Sequence, residues 1–180
     1  MRYNASTVLE AFFMDTFVEQ IVAIKKTAKT WVLYFVIALF AILLMTLVFY
    51  IPYTRGIFIP IDAAIVYGVF KLYAKMNIEY EYIITNSTMD IDKIIAKSSR
   101  KRVVSFDLTA VQRIEKYTGV LPHDVENDCF YACNKTDENA YVLFYKNEGK
   151  PQKAFVFAPN EKMITGMKNF LPRHICENLK

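Results

Sequence analysis

Between Trp31 and Thr54 the chain carries no charged residue, and this run constrains the fold more than any other feature. Its centre, WVLYFVIALFAILLMTLVFY, extends from Trp31 to Tyr50. At about 1.5 Å per residue, roughly 20 helical residues cross the roughly 30 Å hydrocarbon layer of a bilayer. A helix is also the single-segment way to satisfy every backbone group in lipid. Trp31 and Tyr34 at one end, and Tyr50 and Tyr53 at the other, put amphipathic rings where the two membrane interfaces fall. The competing assignment, the core helix of a soluble protein, rarely lacks a polar face over such a length.

A second apolar run, GIFIPIDAAIVYGVF, covers Gly56 to Phe70 between Arg55 and Lys71. It is short for a span, but Lys71 and Lys75 can extend their ammonium groups to the interface and lengthen the usable segment past Tyr73. The expectation is a transmembrane helical hairpin over residues 31–75, with spans at about 31–50 and 56–73 and a turn at Ile51–Gly56, where Pro52 and Gly56 suit a reversal. A single span followed by a re-entrant or interfacial segment is the alternative. Ala64 and Gly68 form a small-xxx-small pair that favours close helix approach, with Ala38 and Ala41 as candidates for the facing surface. Asp62, costly inside lipid, is expected near the turn, hydrated or beside Arg55.

Positive charge sets the orientation. Lys25, Lys26 and Lys29 precede the first run and Lys71 and Lys75 follow the second, whereas the turn holds Arg55 alone. The positive-inside rule then predicts a multi-pass protein of the cell membrane with its N-terminus and C-terminal domain in the cytoplasm. The acidic residues Glu10, Asp15 and Glu19 and the length of the apolar run argue against a cleavable signal. Cys129, Cys133 and Cys176 are odd in number and fit free thiols in a reducing compartment.

Residues 1–30 read as an amphipathic helix: Val8, Leu9, Phe12, Phe13, Phe17, Val18, Ile21 and Val22 recur at three- and four-residue intervals opposite Glu10, Asp15, Glu19 and Gln20. From Asn77 the period changes to two. Ile78, Tyr80, Tyr82 and Ile84 alternate with Glu79 and Glu81, and after Asn86-Ser87 a second strand starts at Met89. Further strands are expected through VVSFDL, Val111–Tyr117, Cys129–Cys133, Tyr141–Lys146 and Lys153–Phe157. Met163, Ile164, Met167, Phe170 and Leu171 then return to helical spacing, with Asn160 as the cap and Pro172 as the stop. The fold class predicted is α+β: the N-terminal hairpin plus a small antiparallel β barrel or sandwich over residues 77–180, closed by a C-terminal helix.

Tyr82-Ile-Ile-Thr85, the turn at Asn86-Ser87, the strand from Met89, Phe106-Asp107-Leu-Thr-Ala-Val111 and the Phe157-Ala-Pro159 junction form a series behind a hydrophobic hairpin. This series resembles bacterial pleckstrin-homology-like domains attached to membrane spans, over roughly Trp31 to Leu171. The resemblance implies a seven-stranded, half-open barrel closed by the C-terminal helix, and it implies no catalytic residue. The phosphoinositide site of lipid-binding pleckstrin domains lies in a longer first loop than Asn86-Ser87 and does not carry over.

No enzyme motif is present, and five glycines leave little from which to build a phosphate loop. His123 and His174 lack a nucleophile at motif spacing. A metal site from His123, Cys129, Cys133 and Cys176 is disfavoured, because strand residues four apart separate their thiols by roughly 13 Å; no cofactor or metal is expected. Lys97, Arg100, Lys101 and Arg102 form the candidate binding cluster, read as a basic loop for anionic lipid or a protein partner. Residues 78–180 hold fifteen Lys and Arg against fourteen Asp and Glu, so nucleic acid is not the expected partner. The function expected is a membrane-anchored, non-enzymatic interaction module that binds membrane lipid, another membrane protein or its own copy. The alternative is a structural subunit acting through its hairpin.

Overall fold

The structure is a computed structural model that describes residues 16–54, 56–121, 129–146 and 151–179. Among these residues eight strands form two four-stranded sheets. β1 (Phe17–Ala23), β2 (Ile78–Thr85), β3 (Thr88–Ile95) and β4 (Ser99–Asp107) lie in the first, in the order β1-β2-β3-β4. β5 (Val111–Lys116), β6 (Cys129–Tyr131), β7 (Tyr141–Tyr145) and β8 (Lys153–Phe157) lie in the second, in the order β5-β7-β8-β6. The helices are α1 (Ala28–Tyr50), α2 (Phe58–Lys75), α3 (Glu161–Lys168) and α4 (Arg173–Cys176). The chain divides into two compact units, one of Met1–Ala23, Tyr80–Lys93 and Lys101–Lys180, the other of Ile24–Glu79 and Ile94–Arg100.

In the first unit the inner faces of the two sheets supply the core. Tyr82 and Ile84 of β2, Met89 and Ile91 of β3, and Leu143, Phe155 and Phe157 of the second sheet are fully shielded. The Tyr82 ring meets Phe155 and Phe157 edge-on at 6.3 and 5.9 Å, and Phe106 stacks on Tyr145 at 4.4 Å. The Tyr82 hydroxyl donates to the Ala132 carbonyl at 2.8 Å and accepts from the Ala158 amide at 3.4 Å. A phenol at this depth needs such partners. All five residues of β7 are buried, because Val142 and Phe144 face a second apolar cluster with Leu121, Cys133, Ala154 and Val156. A strand covered on both faces reads as a continuous apolar run, as YVLFY does. Asp107 secures the passage between sheets: its carboxylate accepts from the Thr109 amide and hydroxyl and from Ser87.

Three expectations are corrected here. The sheets do not close into a barrel. The second sheet is not wholly antiparallel, since β6 runs parallel to β8, with Phe130 opposite Phe155; the chain reaches β8 only after forming β7 on its far side, and such a crossover leaves β6 and β8 pointing the same way. Residues Phe17–Ala23 are a strand and not part of an amphipathic helix, while residues 1–15 of that expected helix lie outside the described residues. The apolar residues at 17, 18, 21 and 22 fit a helical period, but Gln20 decides otherwise. Its side chain points inward, donating to the Ala158 carbonyl at 2.9 Å and accepting from the Asn160 amide at 2.8 Å. The Asn86 amide donates to the Thr16 carbonyl and the Ile24 amide to the Ile78 carbonyl. With Thr16 opposite Asn86 and Ile24 opposite Ile78, β1 runs antiparallel to β2.

Asn160 caps α3, accepting from the Met163 amide at 2.8 Å. The helix ends at Lys168, ahead of Pro172, which instead starts α4. Gly166 allows α3 to approach β1, for a Cβ there would lie 2.9 Å from Val18 Cγ2.

In the second unit α1 carries no charged residue from Trp31 to its end at Tyr50, and none of its residues is buried. Among the described residues it is the one helix long and apolar enough to cross a membrane by length and composition. Tyr34 of α1 meets Tyr73 of α2 at 4.7 Å between ring centroids, with the Tyr73 hydroxyl donating to the Tyr34 carbonyl at 2.6 Å. Phe49 meets Phe58 at 6.3 Å. Ala38 and Ala41 lie on the shielded stripe of α1, but Ala64 and Gly68 are exposed on α2 and a Cβ on Gly68 would meet open space. The small-xxx-small pair therefore does not form the α1–α2 contact; Ile61, Asp62, Ile65 and Val69 occupy the shielded side of α2 instead. Arg55, the expected neighbour of Asp62, lies outside the described residues.

Candidate functional site

The four cations expected on one basic loop are distributed otherwise. Lys97 occupies a tight turn, where it and Ala96 both take φ of 55°. Arg100, Lys101 and Arg102 belong to strand β4, and along a strand successive side chains leave on opposite faces. Lys101 and Arg102 therefore do not present a common surface. Arg102 is tied into its own sheet: Nη1 lies 2.9 Å from Asp90 Oδ2 and Nε 3.1 Å from Asp92 Oδ1. The hydrogen bond to Asp92, aided by the charges of both carboxylates, holds the guanidinium proton more firmly than usual. Asp92 is almost wholly buried, so Arg102 answers a charge that has lost its water. That is a structural role, and only the alternation of Asp90 and Asp92 with Met89 and Ile91 hinted at it in the sequence.

A different basic site appears in the helical unit. A cleft of about 530 Å³ is lined by Phe70, Lys71, Ala74 and Lys75 of α2 and by Ile95, Ala96, Ser98 and Ser99 around the β3–β4 turn. Each wall follows from local chemistry. Positions 70, 71, 74 and 75 share one helical face. The end of α2 is held by the Met76 amide, which donates to the Leu72 and Tyr73 carbonyls, and by the Asn77 amide, which donates to Ala74. The Asn77 carbonyl in turn accepts from the Ala96 amide at 2.9 Å, fixing the turn beside the helix end. The Lys71 ammonium lies 5.4 Å from the Tyr67 ring centroid. Among the described residues no carboxylate lines the cleft. In the same unit the Lys26 ammonium lies over the rings of Tyr34 and Trp31 at 5.0 and 5.9 Å. Sequence reading assigned Lys71 and Lys75 to snorkelling and to membrane orientation; their one-turn spacing was the available signal, but the serine wall was not, since it comes from a turn more than twenty residues away in sequence.

The remaining reactive groups are placed apart from chemistry. Cys129 and Cys133 are free thiols, pushed up by burial to about 11 and about 12 respectively. Thiols so raised stay protonated and are poor nucleophiles. β6 ends at Tyr131, so Cys133 lies beyond the strand once expected to hold both. His174 is exposed on α4, and His123 lies outside the described residues. Among the described residues no three His, Cys, Asp or Glu side chains gather as a metal site.

Comparison with curated proteins and with solved structures returns no match. A family model does match: the bacterial PH-like domain family DUF6106 aligns with residues 14–177, from ahead of β1 to the end of α4. The resemblance carried by Tyr82–Thr85, the Asn86-Ser87 turn and the Phe157–Pro159 junction is thus confirmed, and the chain belongs to the bacterial PH-like domain family DUF6106.

Proposed function

We infer that this protein is a membrane-anchored, non-enzymatic interaction module, in which α1 and α2 cross the bilayer as a hairpin and hold the PH-like domain at the cytoplasmic face. One observation carries this reading: the pairing of β1 with β2. The chain leaves β1 at Ala23, runs through both helices and re-enters the sheet at Ile78, opposite Ile24. Strands that exchange backbone hydrogen bonds lie in one compartment, so a chain that leaves through α1 returns by an even number of crossings. The 18 residues of α2 reach about 27 Å as a helix, and Lys71 and Lys75 at its end extend that reach. Lys25, Lys26, Lys29, Lys71 and Lys75 all flank the sheet side, the distribution expected of a cytoplasmic face.

Single cysteines at Thr54 and Asn139, in a cysteine-free background in intact cells, test the arrangement with an impermeant thiol reagent. Labelling at Thr54 alone is the expected result. Labelling at Asn139 would place the domain outside and end the reading. The second reading, a structural subunit acting through its helices, draws on the exposed Ala64 and Gly68, which leave the outer side of α2 open to close approach by another helix. Crosslinks in native membranes from α2 to a foreign chain, with none from the β domain, would favour it.

A further inference from the structure

We propose that the cleft between the end of α2 and the β3–β4 turn is a binding site for one anionic phospholipid, its phosphate between Lys71 and Lys75 and the hydroxyls of Ser98 and Ser99, its acyl chains along Phe70 and the apolar side of α2. The inference rests on the membrane-anchored reading and adds the ligand class and site.

Three features of the cleft argue for this occupant. The first is charge. Lys71 and Lys75 stand one turn apart, and like charges at that spacing repel. Neither forms an ion pair with a carboxylate among the described residues, and the opposite wall includes two neutral, hydroxyl-bearing residues, Ser98 and Ser99, both exposed. A phosphate accepts from ammonium and hydroxyl donors alike. The second is the division of the lining. Phe70, Ala74, Ile95 and Ala96 are apolar, so a free phosphate leaves half the cleft unused while a lipid fills it. The third is position. The cleft opens where the apolar helix ends, and Tyr67 and Phe70 remain exposed on α2 beside it. Along α2 the side chains change there from apolar to cationic, the order in which a phospholipid presents acyl chain and phosphate. None of Lys97, Arg100, Lys101 and Arg102 lines the cleft, so the site differs from the one expected on sequence grounds.

The test uses the full chain in nonionic micelles, supplied with mixtures of phosphatidylglycerol and phosphatidylcholine and read by native mass spectrometry. The wild-type chain is expected to retain one phosphatidylglycerol in preference to phosphatidylcholine. At about 1 kcal/mol per lysine near a headgroup, each ammonium contributes about fivefold. Lys71→Gln with Lys75→Gln is expected to reduce the preference by about twenty-five-fold. Lys71→Arg with Lys75→Arg is expected to retain most of it, and Lys97→Gln with Lys101→Gln, outside the cleft, to leave it unchanged. No preference in the wild type, an unchanged preference in the double glutamine variant, or an equal loss in the Lys97 and Lys101 variant would each overturn the site. Displacement of the lipid by inorganic phosphate at matching concentration would make it a small-anion site and overturn the lipid assignment. An alkaline carbonate wash of cell membranes separates this inference from the one beneath it: release of the chain overturns both, whereas retention without lipid preference overturns this one alone.

Discussion

The amide of Ile24 donates to the carbonyl of Ile78 across 3.2 Å, and that bond closes the base of the excursion carrying both helices. The helices are thus an insertion between two neighbouring antiparallel strands, and the sheet does not need them for its connectivity. Replacing residues 25–77 by a short glycine-containing turn is expected to give a chain that stays soluble without detergent and keeps its β content. Circular dichroism and size-exclusion chromatography check this; an aggregated product would show that the helices support the fold beyond linking two strands.

Asn86 turns the chain between β2 and β3 with φ of 53°, and its Oδ1 accepts from the Thr16 amide at 3.1 Å. Asn86→Ala loses the acceptor and strains the left-handed backbone, for a cost of about 1–2 kcal/mol. Asn86→Gly keeps the backbone freedom and is expected to cost less. Chemical denaturation of the chain in micelles orders the two.

Gly166 and Val18 are coupled by shape. A methyl at Gly166 stands 2.9 Å from Val18 Cγ2, closer than packed carbons sit, and the branched valine has little freedom to move. Overpacking of this kind costs about 1–3 kcal/mol, against about 1 kcal/mol gained from helix propensity. Gly166→Ala is expected to be mildly destabilising in the wild type and stabilising in a Val18→Ala background. A double-mutant cycle reads the coupling, and additive effects would disprove it.

Arg102 neutralises Asp90 and the buried Asp92 at 2.9 and 3.1 Å. Arg102→Ala leaves a shielded carboxylate without its cation and is expected to lower Tm, with Arg102→Lys in between because one ammonium cannot reproduce the fork of two N–H groups. Lipid preference is expected to be the same in all three. A variant that loses lipid preference at unchanged Tm would move Arg102 from support to binding.

Burial holds the Cys133 thiol at about 12, against an ordinary value near 9. Below pH 9 the thiol is protonated whether the chain is folded or not. As pH rises from about 9 to about 12 the unfolded chain releases the proton and the folded chain does not, so stability falls across that window. Cys133→Ala is expected to flatten this part of the stability profile, and alkylation of native protein near neutral pH is expected to leave Cys129 and Cys133 unmodified until denaturant is added.

Much of this was legible in local sequence. A charge-free run from Trp31, the strand from Ile78, the YVLFY strand and the cap at Asn160 each depend on neighbours in the chain, and each appears in the structure where the pattern placed it; the expected one-sided burial of the Ile78 strand does not, since Glu81 is as buried as Tyr82. What escaped depends on partners far away in sequence. Phe17–Ala23 has the apolar spacing of a helix; it is a strand because Gln20 meets Ala158 and Asn160 and because Thr16 and Ile24 find Asn86 and Ile78. The basic cluster read as one loop is a turn at Lys97 and a strand from Ser99, with Arg102 in an ion pair, since adjacency in sequence is opposition on a pleat. The cleft at Lys71 and Lys75 has half its wall from a later turn. The sequence by itself determined which segments are apolar, which alternate and where helices start, because those are properties of consecutive residues. The tertiary structure decided which strands pair and which cations share a cleft, because contacts closed over long loops leave no periodic mark on the residues between them.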